Sequence, residues 1–408
     1  MFKNKTYNGE IWAEDGSKHF CVLEKSDEHK IILKTNFSSS IYFLQKVDII
    51  YGGFIGLGHM TFVGNFRVKY SSGVTGYNEF LVKYCFRSED SQLNIEDLKI
   101  VSASYYNNTI ANLQRKVGWV DFDENNYQRK GDLNLSAKIG DNDLKEIITE
   151  CYKNQKSSNV SITIQTKSSI KFKFSEAGSL SDLISNYNIF KNFILLIFGY
   201  FEQFENVVLT LQNQSKVDFH YSDVSSLNKP LSLFGFHFSQ IENDYLRLLE
   251  NWFKHEKLRF ICSSIIDNII YRSMNPHKRF LNSYYSLEGW LKFDLKKDKI
   301  KFNKDVLALN DDFENVSGIK NKDLLKFYSY CIRHRDYFVH TNSKQKQIFN
   351  EIEADEVSSL FDYVLMLKIL KQLGASKTLS DLAYSKFSDS YKSSSYEFRK
   401  YMNRDGKL

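Results

Sequence analysis

The sequence of 408 residues predicts an α+β protein of two unlike parts, a β-rich first part that is sandwich- or barrel-like with one or more helices, and an all-α helical bundle after it. Three observations lead there. Short runs rich in β-branched and aromatic residues, separated by Gly, Ser and Asn clusters, fill the chain up to Tyr221. From Ile241 onward apolar residues recur at spacings of three and four. Between the two lies Pro230, the first of only 2 prolines, inside the Ser- and Asn-containing stretch Asp223 to Ser232. The expected division is residues 1–228, residues 233–374 and a polar tail at 375–408.

In the first part the strand candidates are Ile31 to Leu33, Ile41 to Leu44, Met60 to Tyr70, Phe80 to Phe86, Val117 to Phe122, Val160 to Gln165 and Ile170 to Phe174. A helix follows, with Leu183, Ile184, Tyr187, Phe190, Phe193, Ile194 and Ile197 on one side, and strands return at Val207 to Leu211 and Val217 to Tyr221. The most apolar run, Ile189 to Phe201, is interrupted by Lys191, Asn192 and Gly199 and is shorter than the roughly 20 residues of a membrane span. It reads as a buried helix, and no membrane partner is expected.

In the second part Ile241 to Phe253 marks one helix and Leu258 to Ile270 the next, which Asn275-Pro276 closes while Pro276 opens a third on the side of Phe280, Tyr284, Leu287 and Leu291. After a charged, looser insert at Lys292 to Lys320, Asn321 is expected to cap a fourth helix reaching about His340. Asp355 is expected to cap a fifth, stopped by Gly374. The tail from Ala375, rich in Ser, Tyr and Lys, reads as a frayed or partner-bound segment.

Composition excludes little beyond disorder. Hydrophobic residues make up 42% of the chain, enough for packed cores, and a net charge of +6 permits RNA binding without arguing for it. The 5 cysteines are widely spaced with no C-x-x-C pair, and the start Met1-Phe-Lys-Asn-Lys leads into no apolar leader, so a reducing, cytoplasmic setting is expected. The run Tyr51-Gly-Gly-Phe-Ile-Gly-Leu-Gly-His59 lacks both the Lys-Ser/Thr of a phosphate loop and the dinucleotide spacing, and its glycines read as bends of a β-domain. His19, His29 and His220 have no ligand spacing, so neither a metal nor another cofactor is expected.

The segment Cys331-Ile-Arg-His-Arg-Asp-Tyr-Phe-Val-His340 is the informative one. Its R-x-x-x-x-H pattern, Arg335 to His340, is weak by itself: with four to six intervening residues allowed, about one such Arg/His match is expected by chance in a chain with about a dozen arginines, and Arg272 with His277 forms a second match. Pro276 interrupts the second match, whereas the first is continuous and gathers Arg333, His334, Arg335, Asp336 and His340 into eight positions. A solvated helix end, its cations favoured by the macrodipole, is the alternative.

Arg335-Asp-Tyr-Phe-Val-His340 resembles the signature of HEPN ribonucleases, and Arg279-Phe-Leu-Asn-Ser-Tyr-Tyr-Ser-Leu-Glu288 is similar to the preceding helix of ApeA-like members. The Gly9-Glu-Ile-Trp12 start and the β-rich region after it resemble the N-terminal domain of ApeA anti-phage proteins. What this implies is a HEPN bundle that forms a homodimer, with two Arg/His pairs at one cleft. It implies a metal-independent endoribonuclease of abortive infection acting on RNA, tRNA among the candidates, with the β-rich part responding to a phage-derived trigger. In that scheme Arg335 and His340 are catalytic and Arg333 and His334 contact substrate, while Asp336 either orients the imidazole or forms a plain i,i+4 surface pair, and Glu288 either approaches the cleft or makes a structural salt bridge. Two other readings stay open: a HEPN scaffold without catalysis, and a β-sandwich ligand-binding protein with a helical dimerisation appendix.

Overall fold

The computed structural model describes residues 6–12, 17–26, 30–35, 46–70, 78–89, 93–107, 133–139, 144–157, 162–199, 201, 206–221, 235–271, 274–340 and 347–394. It is an α+β structure whose chain forms two compact units, Met1–Asn188 with Glu202–Ser226, and Ile189–Phe201 with Leu227–Leu408. The expected boundary at Asp223 to Ser232 and the strand candidates Ile41 to Leu44 and Val117 to Phe122 lie outside the described residues.

The first unit begins with β1 (Thr6–Trp12), β2 (Lys18–Lys25), β3 (Ile31–Thr35), β4 (Lys46–Phe54), β5 (Gly58–Tyr70) and β6 (Asn78–Ser88). They pair antiparallel in the order β3-β2-β1-β4-β5-β6, and β3 pairs back onto β6 with Leu33 opposite Phe80, which closes the strands into a barrel. Alternation fills it: Ile11, Cys21, Leu23, Ile31, Leu33, Phe62, Phe80 and Val82 are fully buried.

The far half of β6 pairs with β12 (Lys216–Tyr221), Phe86 opposite Phe219. The sheet then continues through β11 (Asn206–Leu211), β7 (Ile100–Asn107), β10 (Ile162–Gly178), β9 (Leu144–Ser157) and β8 (Leu133–Lys138). The two strand candidates at Val160 to Phe174 are one strand here. Residues Thr166 to Ser169, whose polarity read as a break, stay in the ladder with β9, where the backbone pairs whatever the side chain.

The glycines of the Tyr51–His59 run serve the barrel. Gly56 and Gly58 take φ of +80° and +83° in the β4–β5 turn, and a Cβ at Gly9 of β1 would lie 2.3 Å from the Gly53 carbonyl oxygen. The helix α1 (Leu180–Phe198) enters both units: Tyr187 stacks on Tyr105 within the first, while residues from Ile189 belong to the second. Phe190, Phe193, Ile194, Leu195, Leu196 and Ile197 are all fully buried, and no helix among the described residues is long and apolar enough to cross a membrane.

The second unit continues with α2 (Phe238–Ile241), α3 (Tyr245–Lys254), α4 (Glu256–Ile270), α5 (Pro276–Asp294), α6 (Phe302–Asp305), α7 (Asn310–Ser317), α8 (Asn321–Val339), α9 (Glu351–Gln372) and α10 (Lys377–Ser394). Within it Phe193 packs on Tyr245, and Trp252 Nε1–H donates to the Ile189 carbonyl at 2.9 Å. Helix α9 is buried all round, as expected of a central helix, and Phe361 at its middle meets Phe280, Phe302, Phe313 and Phe327.

Five expectations are corrected. The helix expected from Ile241 to Phe253 breaks at Asp244, whose buried carboxylate takes the N–H and Oγ–H of Ser376 and pairs with Arg247. The insert at Lys292 to Lys320 is largely helical, because Phe302, Val306, Leu309, Phe313 and Val316 sit in the core between its charges. Asn321 and Asp355 are not caps. Lys320 precedes α8 without a side-chain cap, and α9 is capped five residues early at Asn350, which forms a capping box with Glu353.

Asp355 instead faces Arg279 in an ion pair. The tail is α10 up to Ser394, held by Leu379, Ala383, Phe387 and Tyr391, a sparse stripe that its Ser and Lys content hides. Asn275 caps α5 through the His277 N–H with Pro276 in its first turn, and Gly374 ends α9 at φ +86°, both as read from sequence.

Candidate active site

Helix α8 carries the Arg/His segment at its C-terminal end. The helix runs without interruption to Val339, so Arg335 lies inside it while His340 is the C-cap, at φ −102° and ψ 2°. On an ideal helix residues five apart point about 140° from each other. The cap geometry brings both to one carboxylate: Arg335 Nη1 donates to Asp336 Oδ1 at 2.5 Å, and His340 Nε2 lies 3.9 Å from the same oxygen.

The three differ in exposure. His340 is 60% exposed, whereas the Arg335 and Asp336 side chains are about three-quarters covered. The Arg335 guanidinium stands 5.5 Å over the Tyr284 ring of α5, and its Nε–H has no hydrogen-bond partner among the described residues. Burial pulls Arg335 towards its neutral form, but the Asp336 hydrogen bond with Tyr284 and Tyr285 outweighs it, so its pKa is raised. Burial likewise raises the Tyr284 phenol, against the pull of Arg335. This end of α8 therefore offers a fixed cation, an adjoining carboxylate and an open imidazole at a helix C-terminus, where positive charge is favoured.

Arg333 is exposed on the same helix. Glu288 of α5 is bound to Lys292 at 3.1 Å one turn on, a structural ion pair, and it stands near Tyr284. His334, expected among the substrate contacts, is a correction. Its ring is fully buried, accepts the Phe349 N–H at Nδ1 over 3.1 Å, and lies 3.3 Å from His277 Nδ1. Burial, then His277, push its pKa down to about 3. It is a neutral core residue wrapped by Phe280, Phe338 and Phe349.

The competing pair is different. Arg272 lies outside the described residues, and His277 is a buried residue of the first turn of α5, stacked on Phe338 at 4.6 Å. Sequence reasoning missed Tyr284 as the partner of Arg335. Its helical spacing marked it only as apolar-side, and nothing in a single sequence tells which helix that side meets. Among the described residues no group of three or more His, Cys, Asp or Glu is arranged to hold a metal ion. Cys21, Cys85, Cys262 and Cys331 are free and buried, and burial raises each thiol.

Fold and site together define a two-unit α+β protein with a barrel-bearing β unit and a helical unit that carries an Arg–Asp–His cluster. The family profile of ApeA N-terminal domain 1 matches residues 6–252, more than half of the chain. The chain belongs to that family and is thus an ApeA-like anti-phage defence protein. The match extends past the β unit into α3. No curated protein and no solved structure matched.

Proposed function

We propose that the helical unit is a HEPN domain and that the chain is a metal-independent endoribonuclease, the effector of an abortive-infection response. One observation carries the reading: Arg335 and His340 converge on Asp336 Oδ1 at an accessible helix end. In the reaction a ribose 2′-OH attacks the adjacent phosphorus while the P–O5′ bond breaks, leaving a 2′,3′-cyclic phosphate and a 5′-hydroxyl that takes up a proton. His340 moves the proton, and the Arg335 guanidinium, whose planar fork matches phosphate oxygens, stabilises charge on the phosphoryl group. Asp336 holds both until substrate phosphate competes for Arg335. A second copy of the chain supplies the other half of the cleft, and the β unit restrains the nuclease until a phage-derived trigger is met.

The test is incubation of the full chain with total cellular RNA, with and without EDTA. The expected products carry 2′,3′-cyclic phosphate ends in both cases, and DNA stays uncut because it lacks the 2′-OH. Loss of cleavage in EDTA with recovery in Mg²⁺ would overturn the reading. The non-catalytic scaffold has one observation in its favour, since Asp336 already neutralises Arg335. No cleavage of any RNA, with defence retained in cells carrying His340→Ala, would establish it.

A further inference from the structure

A groove of about 1130 Å³ runs between α4 and α5, on a surface that the candidate catalytic cluster does not use. Its walls are aromatic. Phe260 of α4 is 81% exposed, Tyr285 of α5 43%, and Phe293 adjoins them. Apolar rings left this open on a helical surface are uncommon, and each presents a face on which a planar group can stack.

The rim is basic. Lys257, Lys292, Lys296 and Lys297 outnumber Glu256 and Asp298 along it. Lys292 and Lys297 are engaged by Glu288 and Asp305, while Lys257 and Lys296 have no ion pair among the described residues. Lys296 is informative for its backbone. It follows the end of α5 at φ +53°, in the left-handed position where glycine is the usual occupant, with the Lys297 N–H returning to the Lys292 carbonyl at 3.1 Å. A side chain there is strained, and here the strain sets an ammonium beside the groove. Among the residues that line it, Ser286, 3% exposed, has a hydroxyl with no hydrogen-bond partner among the described residues. A buried unpaired hydroxyl is unfavourable unless a ligand or water satisfies it.

We infer that the α4–α5 groove binds single-stranded RNA, its bases stacking on Phe260 and Tyr285 and its phosphates meeting Lys257 and Lys296. The inference rests on the ribonuclease reading for the identity of the ligand. Alternating ring faces and cations are what a sequence-tolerant single-strand site needs. Tyr285 is the chain neighbour of Tyr284, over whose ring the Arg335 guanidinium stands at 5.5 Å.

The experiment is fluorescence anisotropy of the full chain with a labelled 2′-O-methyl oligouridine 12-mer, which has no free 2′-OH to be cut, so that binding is read apart from cleavage. The parent is expected to bind. Phe260→Ala is expected to weaken binding about 10-fold. Lys257→Gln and Lys296→Gln are each expected to lower the slope of log affinity against log salt by about 0.7. All three residues are exposed, so folding survives.

A parent that does not bind, or variants that bind as the parent does, overturns the groove as an RNA site. Light scattering in which Phe260→Ala turns a dimer into a monomer assigns the groove to a second copy and also overturns it. Binding lost in the variants while no RNA is ever cut leaves the groove standing and refutes the nuclease. Cleavage and binding both intact in the variants do the reverse.

Discussion

Six residues and less than two turns separate His334 from His340 on α8, and the two sides of that helix end treat the same imidazole in opposite ways. His334 lies among three phenylalanines with both ring nitrogens engaged, neutral down to about pH 3. His340 stands at the cap, 60% exposed, with the Asp336 carboxylate 3.9 Å away. The comparison teaches that a cluster of chemistry-bearing residue types on one helix is two populations, one building the core and one free to act. Spacing decides which is which: His334 repeats the Phe327, Tyr328 and Cys331 stripe, and His340 does not.

The comparison is broken most severely at the open side. Arg335→Ala and His340→Ala should each lower RNA cleavage by roughly 100-fold or more while circular dichroism and melting change little. Unchanged cleavage would mean the open side is as inert as the buried one.

Next in size is the buried side. His334→Ala should destabilise the fold by roughly 2–4 kcal/mol in urea titration, because it leaves a cavity and strands the Phe349 N–H. Its cleavage, measured well below the midpoint, should stay within a few-fold of the parent. His277→Ala should behave likewise.

The buried side also has a pH signature. The folded-state pKa of His334 is depressed below its unfolded value of about 6.5, so its contribution is present above that pH and is lost as pH falls towards about 3. Asp362 of α9 runs the other way. Buried between Asn268 and Ser283, its carboxyl is raised to about 7, so its contribution is present below about pH 4 and is lost as pH rises through 7. Asp362→Asn should therefore raise the melting temperature relative to the parent at pH 8 and give almost no gain at pH 4. An equal gain at both would assign the effect to packing and not to charge.

The smallest expected effect sharpens the role of the shared carboxylate. Asp336→Asn should lower cleavage about 10-fold and shift its pH optimum, as expected of a group that positions His340 and Arg335 without reacting. A merely structural ion pair would lower stability and leave the pH profile in place.

Much of this arrangement was legible in the sequence where a local rule decides it. Asn275-Pro276 and Gly374 marked helix ends because caps are local chemistry, and the apolar run at Ile189 was read as core because it is too short for a bilayer. What was missed depends on distant partners. Asp355 looks like a cap, yet Arg279 claims it from another helix, and Asn350 caps instead. The pairing of β3 with β6 that closes the barrel joins residues 43 to 51 positions apart and leaves no local trace. At the site, Arg335, Asp336 and His340 were readable from spacing, whereas the burial of His334 and the contact with Tyr284 follow from which helices pack on α8.

Helix α1 has a consequence for any attempt to take the molecule apart. The chain visits the β unit, supplies residues 189–201 to the helical unit, returns to lay down β11 and β12, and leaves again. A gene fragment starting at residue 233 would therefore encode a helical unit missing the carbonyl that receives the Trp252 indole and the ring that covers Tyr245. The two units of such a chain cannot be exchanged by a single splice, and a working chimera must carry the segment from Ile189 together with the helical unit.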